Sequence, residues 1–233
     1  MSTVVLIPGA GGDAWYWHLV VPELRARGHR VVPVDLPADD EKAGLDVSVD
    51  AAVAAVDRSE VDRSDVVVVG QSMGGLTAPL LCDRLPVRLL VLLNAMTPRP
   101  GETGGQWWSA TGHRQAYVAA ARAARWDPEA DDWIGNAFFH DVPAAVTAAA
   151  FARGELAQSD RPFADPFPLD RWPDVPTRFL QGRDDRFFPL EFQRRVVAER
   201  LGPLGVTVDE MPGGHLVALS RPVELAERLC EYL

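Results

Sequence analysis

Cysteine is scarce in this chain: two residues, Cys82 and Cys230, in 233. Both fall on predicted helices and read as reduced, small core residues rather than as a disulfide framework. Two thiols alone cannot complete a zinc site, so no metal is expected. Basic residues are outnumbered, with 23 Lys and Arg against 33 Asp and Glu and a formal net charge of −10. Binding to a phosphate backbone needs a basic surface, so nucleic acid is not an expected partner, and an anionic membrane surface is disfavoured. No apolar run approaches the roughly 20 residues that cross a bilayer. No signal peptide is expected, because Met1-Ser2-Thr3 runs straight into Val4-Val5-Leu6-Ile7 with no basic stretch. A cytoplasmic location is the expectation. Neither Gly-x-Gly-x-x-Gly nor the Gly-Lys-Ser/Thr close of a phosphate loop occurs, and no cofactor is expected. Internal repeats and low-complexity tails are absent too.

What remains is a globular composition, 47% apolar and 24% charged, long enough for one α/β domain with a sizeable core. Short apolar runs alternate with helical patterns. That alternation predicts an α/β fold: a mostly parallel sheet of about six strands with helices on both faces. The expected strands are Val4–Ile7, Val31–Val34, Val66–Val69, Leu89–Leu93, Thr177–Leu180 and Val206–Val208. Helices are expected near Trp15–Arg27, Val47–Ser59, Met73–Leu85, Glu191–Leu201 and Pro222–Tyr232. Pro79 should bend the third of these, because it removes a helix hydrogen bond. Between about Thr97 and Asp174 the alternation stops. A glycine-rich start and Trp107-Trp108 lead into Ala-rich helical segments near Gln115–Arg125 and Pro143–Leu156. A proline-rich return follows. This stretch, 97–174, is read as a small helical cap inserted after the fourth strand, with 1–96 and 175–233 forming the core.

The chemistry-bearing motif is Gly70-Gln71-Ser72-Met73-Gly74-Gly75, directly after Val66-Val67-Val68-Val69. A buried strand running into Gly-x-Ser-x-Gly and then a helix is the layout of a nucleophile elbow. Side chains at Gly70 or Gly74 would collide with neighbouring backbone in so tight a turn. The serine would sit in a strained conformation at a helix N-terminus, where N–H groups favour developing negative charge. A serine nucleophile needs a base in hydrogen-bond reach and a carboxylate to orient that base. Of the five histidines, His18 and His29 precede the serine, and His113 and His140 lie in the expected cap. Only His215, in Pro212-Gly213-Gly214-His215, follows the last strand. The fifth strand ends in Arg183-Asp184-Asp185-Arg186. Asp185 is favoured as the acid over Asp184, whose carboxylate could instead cap the turn or pair with a neighbouring arginine. The other position open to such an acid, after the fourth strand, holds Asn94, an uncharged amide. The glycine-rich turn Ile7-Pro8-Gly9-Ala10-Gly11-Gly12 can offer the N–H of Ala10, and the elbow that of Met73, as a pair of oxyanion donors. Trp15 and Trp17 are read as helix packing.

These residues resemble the α/β-hydrolase family over nearly the whole chain. More closely, they are similar to its compact esterase and hydroxynitrile-lyase group, which includes plant methyl esterases and small bacterial relatives. The similarity is strongest in Pro8–Trp15, Gly28–Pro37, Gly70–Gly75, Asp185 through Gln193, and His215 with Ser220-Arg221-Pro222. It implies a Ser72–His215–Asp185 triad. It also implies which branch applies: the lyases carry a lysine directly after the catalytic histidine, where Leu216 stands here. They also carry a threonine hydroxyl in the first turn, where Gly9 stands. The turn begins Pro8-Gly9 rather than the fold's usual His-Gly.

The expected function is a serine hydrolase cleaving small, largely apolar carboxylic esters. Gly9, Trp107, Trp108, Phe138 and Leu216 are candidate pocket residues. The alternatives left open are C–C bond hydrolysis or cyanohydrin cleavage on the same three residues, and a non-catalytic binding protein of this fold. The expected partner is a small-molecule ester. Oligomeric state is open between monomer and homodimer.

Overall fold

The computed structural model describes residues 1–233 except Glu60, Arg63 and Glu155. Six strands form one sheet: β1 Thr3–Ile7, β2 Arg30–Pro33, β3 Val66–Gln71, β4 Val87–Leu93, β5 Thr177–Gly182 and β6 Val208–Met211. Their order is β2-β1-β3-β4-β5-β6, and every neighbouring pair is parallel. The chain first builds outward from β1 to β2, then returns to the other side of β1 for β3. That reversal opens a crevice beyond the carboxyl ends of β1 and β3, the place where open α/β sheets bind ligands. The register Ile7↔Gly70 and Gln71↔Leu93 brings the turns after β1, β3 and β4 to one edge.

Alternating side chains feed two cores. Val5, Ile7, Val66 and Val68 face one side with Leu45, Val49, Ala52 and Val56 of α2 (Leu45–Arg58), spaced along one helical face. Val4, Leu6, Val67 and Val69 face the other with Leu24 of α1 (Val20–Ala26) and the apolar face of Pro222–Cys230. Each such fully buried aliphatic side chain contributes about 1.5–3 kcal/mol, so the central strands are fixed by both layers at once.

Several elements differ from the sequence expectation. The first helix is split: Ala14–Trp17 is a 3-10 turn capped by Asp13, and α1 starts only at Val20. After β3, α3 (Gly74–Thr77) gives way to a 3-10 segment, Ala78–Asp83. Pro79 lacks the N–H that an α-helix would use, so the expected bend is a change of helix type. The last strand lies at Val208–Met211, not Val206–Val208. Val206 instead closes the preceding helix end, its N–H donating to Leu201 O. The strand's Asp209 and Glu210 suit a charged sheet edge, which hid it from an apolar search.

Between β4 and β5 the described residues form helices, α4 (Gly104–Thr111), α5 (His113–Ala123), a π-helical turn (Gly135–Phe139), α6 (Ala144–Ala152) and α7 (Arg161–Ala164), with one isolated antiparallel bridge, Thr103 to Pro166. The sequence pattern missed α4, whose start holds two glycines. Its signal was the capping box of Thr103 and Gln106. Gly112, at φ 65°, ends α4 and separates it from α5. Gly154, at φ 86°, stops the expected Pro143–Leu156 helix, which ends at Ala152; Glu155 lies outside the described residues. The chain closes with α8 (Leu190–Arg200), α9 (Val217–Ser220) and α10 (Pro222–Cys230). No helix of the described residues is long and apolar enough to cross a membrane.

Candidate active site

Ser72 follows β3 at φ 51°, a backbone conformation that L side chains rarely adopt. Three backbone bonds hold it there. Its N–H donates to Leu93 O at 3.1 Å, and its carbonyl accepts from Gly75 N–H at 3.0 Å and Met96 N–H at 2.9 Å. The flanking glycines are required by close approach. A Cβ on Gly70 would meet Gly74 O at 2.8 Å, and one on Gly74 would meet Pro8 O at 2.7 Å.

The histidine loop after β6 brings His215 Nε2 to 2.9 Å from Ser72 Oγ. The other ring nitrogen, Nδ1, lies 2.8 Å from Asp185 Oδ2. A carboxylate can only accept, so Nδ1 carries the proton and Nε2 is left as the acceptor for the serine hydroxyl. His215 is 1% exposed and Asp185 4%. Asp185 Oδ1 accepts the N–H groups of Phe187 and Phe188, each at 2.8 Å, which fixes the carboxylate's orientation. Asp184 does a different job: its Oδ2 accepts from Gly213 N–H at 3.0 Å, tying down the histidine loop. The rings of Phe138, Phe187 and Phe188 surround the imidazole with centroids 5.1–5.2 Å away.

Residues outside the sequence-derived set complete this network. Asn94, fully buried at φ 45°, donates to Gly214 O at 3.1 Å and His215 O at 3.0 Å. Its Oδ1 accepts from Gly182 N–H at 2.7 Å. It therefore links the acid-bearing strand end to the histidine loop, and its amide serves better than a carboxylate, which could not donate to two carbonyls. Gln71 adds a bond to His215 O at 3.2 Å, and Asp141 accepts from Gly214 N–H at 2.7 Å. Asp141 carries no motif signal, since it sits in the segment where the sequence pattern is weakest.

A cavity of about 770 Å³ opens above Ser72. Gly9, Ala10, Phe138 and Leu216 line it, as do Ser72 and His215. Trp107 and Trp108 do not. Trp107 is fully buried in the sheet core against Phe188 and Phe192, and Trp108 packs beside it. As aromatic residues of the expected cap the two tryptophans were candidate pocket residues in sequence; the α4 face turns them into core. The reverse holds for Trp15, which lines the cavity with Arg153 5.0 Å above its ring. Trp17 is buried core, as its helical setting suggested. The remaining wall comes mostly from the 97–174 segment: Trp133, Ile134, Phe139, Phe151 and Leu156.

In the glycine turn, a Cβ on Gly9 would lie 2.9 Å from Ser72 Cβ, so this position admits only glycine without a shift. The N–H groups of Ala10 and Met73 have no acceptor among the described residues. Burial pushes the Tyr16 phenol, another cavity residue, well above its ordinary pKa, against the backbone N–H of Ala218 that it accepts. It stays a neutral hydroxyl. His113 and His140 are both held below the ordinary histidine value, chiefly by burial. Among the described residues, no cluster of three His, Cys, Asp or Glu side chains could hold a metal ion.

A parallel α/β sheet with a serine elbow, a histidine and an aspartate at its carboxyl edge defines the class. The chain belongs to the alpha/beta hydrolase family, whose profile matches residues 4–228. It is 27% identical to the pyrethroid hydrolase of Sphingobium wenxiniae over 100% of this chain and 88% of that protein. It is 26% identical to the alpha-hydroxynitrile lyase of Arabidopsis thaliana, over 97% and 94% respectively. The solved structure of polyneuridine aldehyde esterase superposes with a TM-score of 0.75 at 22% identity, covering 100% of this chain and 99% of that one. That structural likeness is one of fold.

Proposed function

We propose that this protein is a serine hydrolase that cleaves carboxylic esters of uncharged, largely apolar substrates through an acyl-enzyme. The observation that carries this reading is the unbroken hydrogen-bonded series Ser72–His215–Asp185 at the floor of an apolar cavity. In this mechanism His215 Nε2 takes the Ser72 proton as Oγ attacks the ester carbonyl. The tetrahedral oxyanion is received by the free N–H groups of Ala10 and Met73. His215 then protonates the leaving alkoxide, which departs as alcohol. Water enters, gives its proton to His215 and attacks the acyl-enzyme, releasing the acid and restoring Ser72. Asp185 holds the imidazole in the tautomer each step requires. Residues 97–174 act in this scheme as a cap that selects substrate by shape.

Relatives named as hydrolases or esterases support ester cleavage, but a lyase stands among them as well. Two features favour hydrolysis. Leu216, directly after His215, gives the cavity no cation there to receive a cyanide leaving group. At Gly9, a threonine would crowd Ser72. A panel of aryl and alkyl esters and one cyanohydrin, assayed by product, tests the proposal. The expected products are acid plus alcohol, with turnover falling by on the order of 10⁴-fold or more in Ser72→Ala. Near-normal turnover by that variant, or release of aldehyde and cyanide as the main activity, contradicts it.

A further inference from the structure

The glycine turn after β1 is gripped from a direction that the proposed reaction does not explain. Gly11, at φ 84°, donates its N–H to Gln158 Oε1 at 2.9 Å, across 147 residues of sequence. The Gln158 amide nitrogen is fixed in turn by Ser159 O at 2.9 Å, and Ser159 N–H donates to Ala38 O at 2.6 Å. Ala38 packs on the same turn: a Cβ on Gly12 would lie 2.8 Å from Ala38 Cβ. Leu36 N–H closes the ring at Gly12 O, 2.8 Å away. Leu156 covers the outside of Gly11, with its Cβ 2.8 Å from where a Gly11 Cβ would stand. The descending end of the 97–174 segment is therefore docked on the turn that carries Ala10.

The turn has little rigidity of its own. Gly9, Gly11 and Gly12 leave the backbone free to rotate, and the one bond inside it runs from Gly12 N–H to Gly9 O at 3.1 Å. An oxyanion donor works by being aimed before charge develops. The Ala10 N–H belongs to the Gly9–Ala10 peptide, and the next peptide plane, Ala10–Gly11, is the one that Gln158 anchors. We propose that Gln158 is a positioning residue: its side-chain oxygen, delivered by the inserted segment, holds Gly11 so that Ala10 N–H faces the ester oxyanion. This rests on the ester-hydrolase reading. It also joins the cap to the chemistry, because the oxyanion turn is complete only when residues 156–159 are seated.

The test compares Gln158→Leu, which removes the acceptor at similar size, with Gln158→Glu, which keeps one. Both are measured beside Ser72→Ala with a 4-nitrophenyl ester and with a fluorophosphonate that reacts at Ser72. Gln158→Leu is expected to lose roughly 10- to 100-fold in kcat and a similar factor in phosphonylation rate, with KM within about 2-fold. Gln158→Glu is expected to keep at least about 5-fold more kcat than the leucine variant, because the Gly11 bond survives. A kcat for Gln158→Leu within about 2-fold of the parent, or a defect confined to KM, overturns the proposal, since a substrate contact or a purely structural role would give those results. Equal losses in the two variants overturn it as well. If Gln158→Leu does not fold, Gln158→Met, read by the same phosphonylation rate, takes its place. Ser72→Ala separates the two levels. If it is inactive while Gln158→Leu matches the parent, only this inference falls; if it retains activity, the ester-hydrolase reading falls first.

Discussion

The two walls of the cavity are held in place by different forces. The wall at the strand ends carries Ser72, Asp185 and His215, and is fixed by directional bonds from buried polar groups. Asn94, Asp184, Gln71 and Asp141 all bond to the loop around His215. The opposite wall, from residues 97–174, is mostly aromatic and aliphatic side chains beside Arg153 and Gln158, several of them exposed at the rim: Trp133, Ile134, Phe151 and Leu156. Hydrogen-bonded networks set atoms to within tenths of an ångström, whereas apolar packing sets volume and shape. Under the proposed function, the contrast places the reaction on the sheet and selectivity on residues 97–174, which reach the sheet wall through Gln158 at Gly11 and through Asp141 at Gly214.

The largest expected effect comes from breaking the sheet wall at its acid. Asp185→Asn should lower kcat by about 10⁴-fold, because an amide at that position favours the wrong imidazole tautomer. Asp184→Asn should cost less than about 10-fold, since an asparagine oxygen can still accept from Gly213 N–H. Steady-state kinetics on one aryl ester decides this. Comparable losses in both would dissolve the division of labour between the two aspartates.

A second effect sharpens where the insert begins. Trp107 belongs to the insert by sequence but to the sheet core by packing. Trp107→Ala should lower unfolding stability by about 3–5 kcal/mol. Trp133→Ala, at the 39% exposed rim, should change stability by less than about 1 kcal/mol and raise KM for apolar aryl esters. Urea unfolding beside kinetics reads both. Equal stability losses would mean that the insert packs as one unit.

The same contrast governs what the sequence could reveal. The strands of the two-faced core are mostly apolar runs, so five of six were legible within two residues, and the sixth was placed two to three residues early. Ser72, Asp185 and His215, which lie within hydrogen-bond reach of one another, were singled out in sequence because each follows a strand and their order along the chain is that of the fold. Asn94 drew notice only as a missing acid. Its role depends on a positive φ and on three backbone partners distant in sequence, and none of these leaves a local pattern. Trp15, Trp107 and Trp108 were assigned to the wrong surfaces for the same reason. An aromatic residue in a short helix can face either core or cavity, and only tertiary packing decides. Gln158 lies between the Ala-rich helix and the proline-rich return, where no periodicity exists to read.

The smallest effect is a pH slope. Burial beside Trp107, Trp108, Phe187 and Phe188 keeps the His113 pKa below its ordinary value, opposed by its hydrogen bond to Phe187 O and by Asp185. The folded state therefore binds fewer protons here than the unfolded chain. The resulting stability is fully present above the ordinary value of about 6.5 and is lost as pH falls through the lowered folded value. Thermal unfolding of the parent should weaken from pH 7 to pH 5, and His113→Phe should flatten that slope without abolishing it, since His140 shifts in the same direction. An unchanged slope would remove His113 from the account.

The central claim is that Ser72 is an activated nucleophile. Incubating the folded protein with a fluorophosphonate and mapping the adduct by peptide mass spectrometry tests it most directly. The account predicts one stoichiometric adduct on Ser72, formed far more slowly in His215→Ala. An intact protein that stays unlabelled, or that is labelled on another residue, would contradict it.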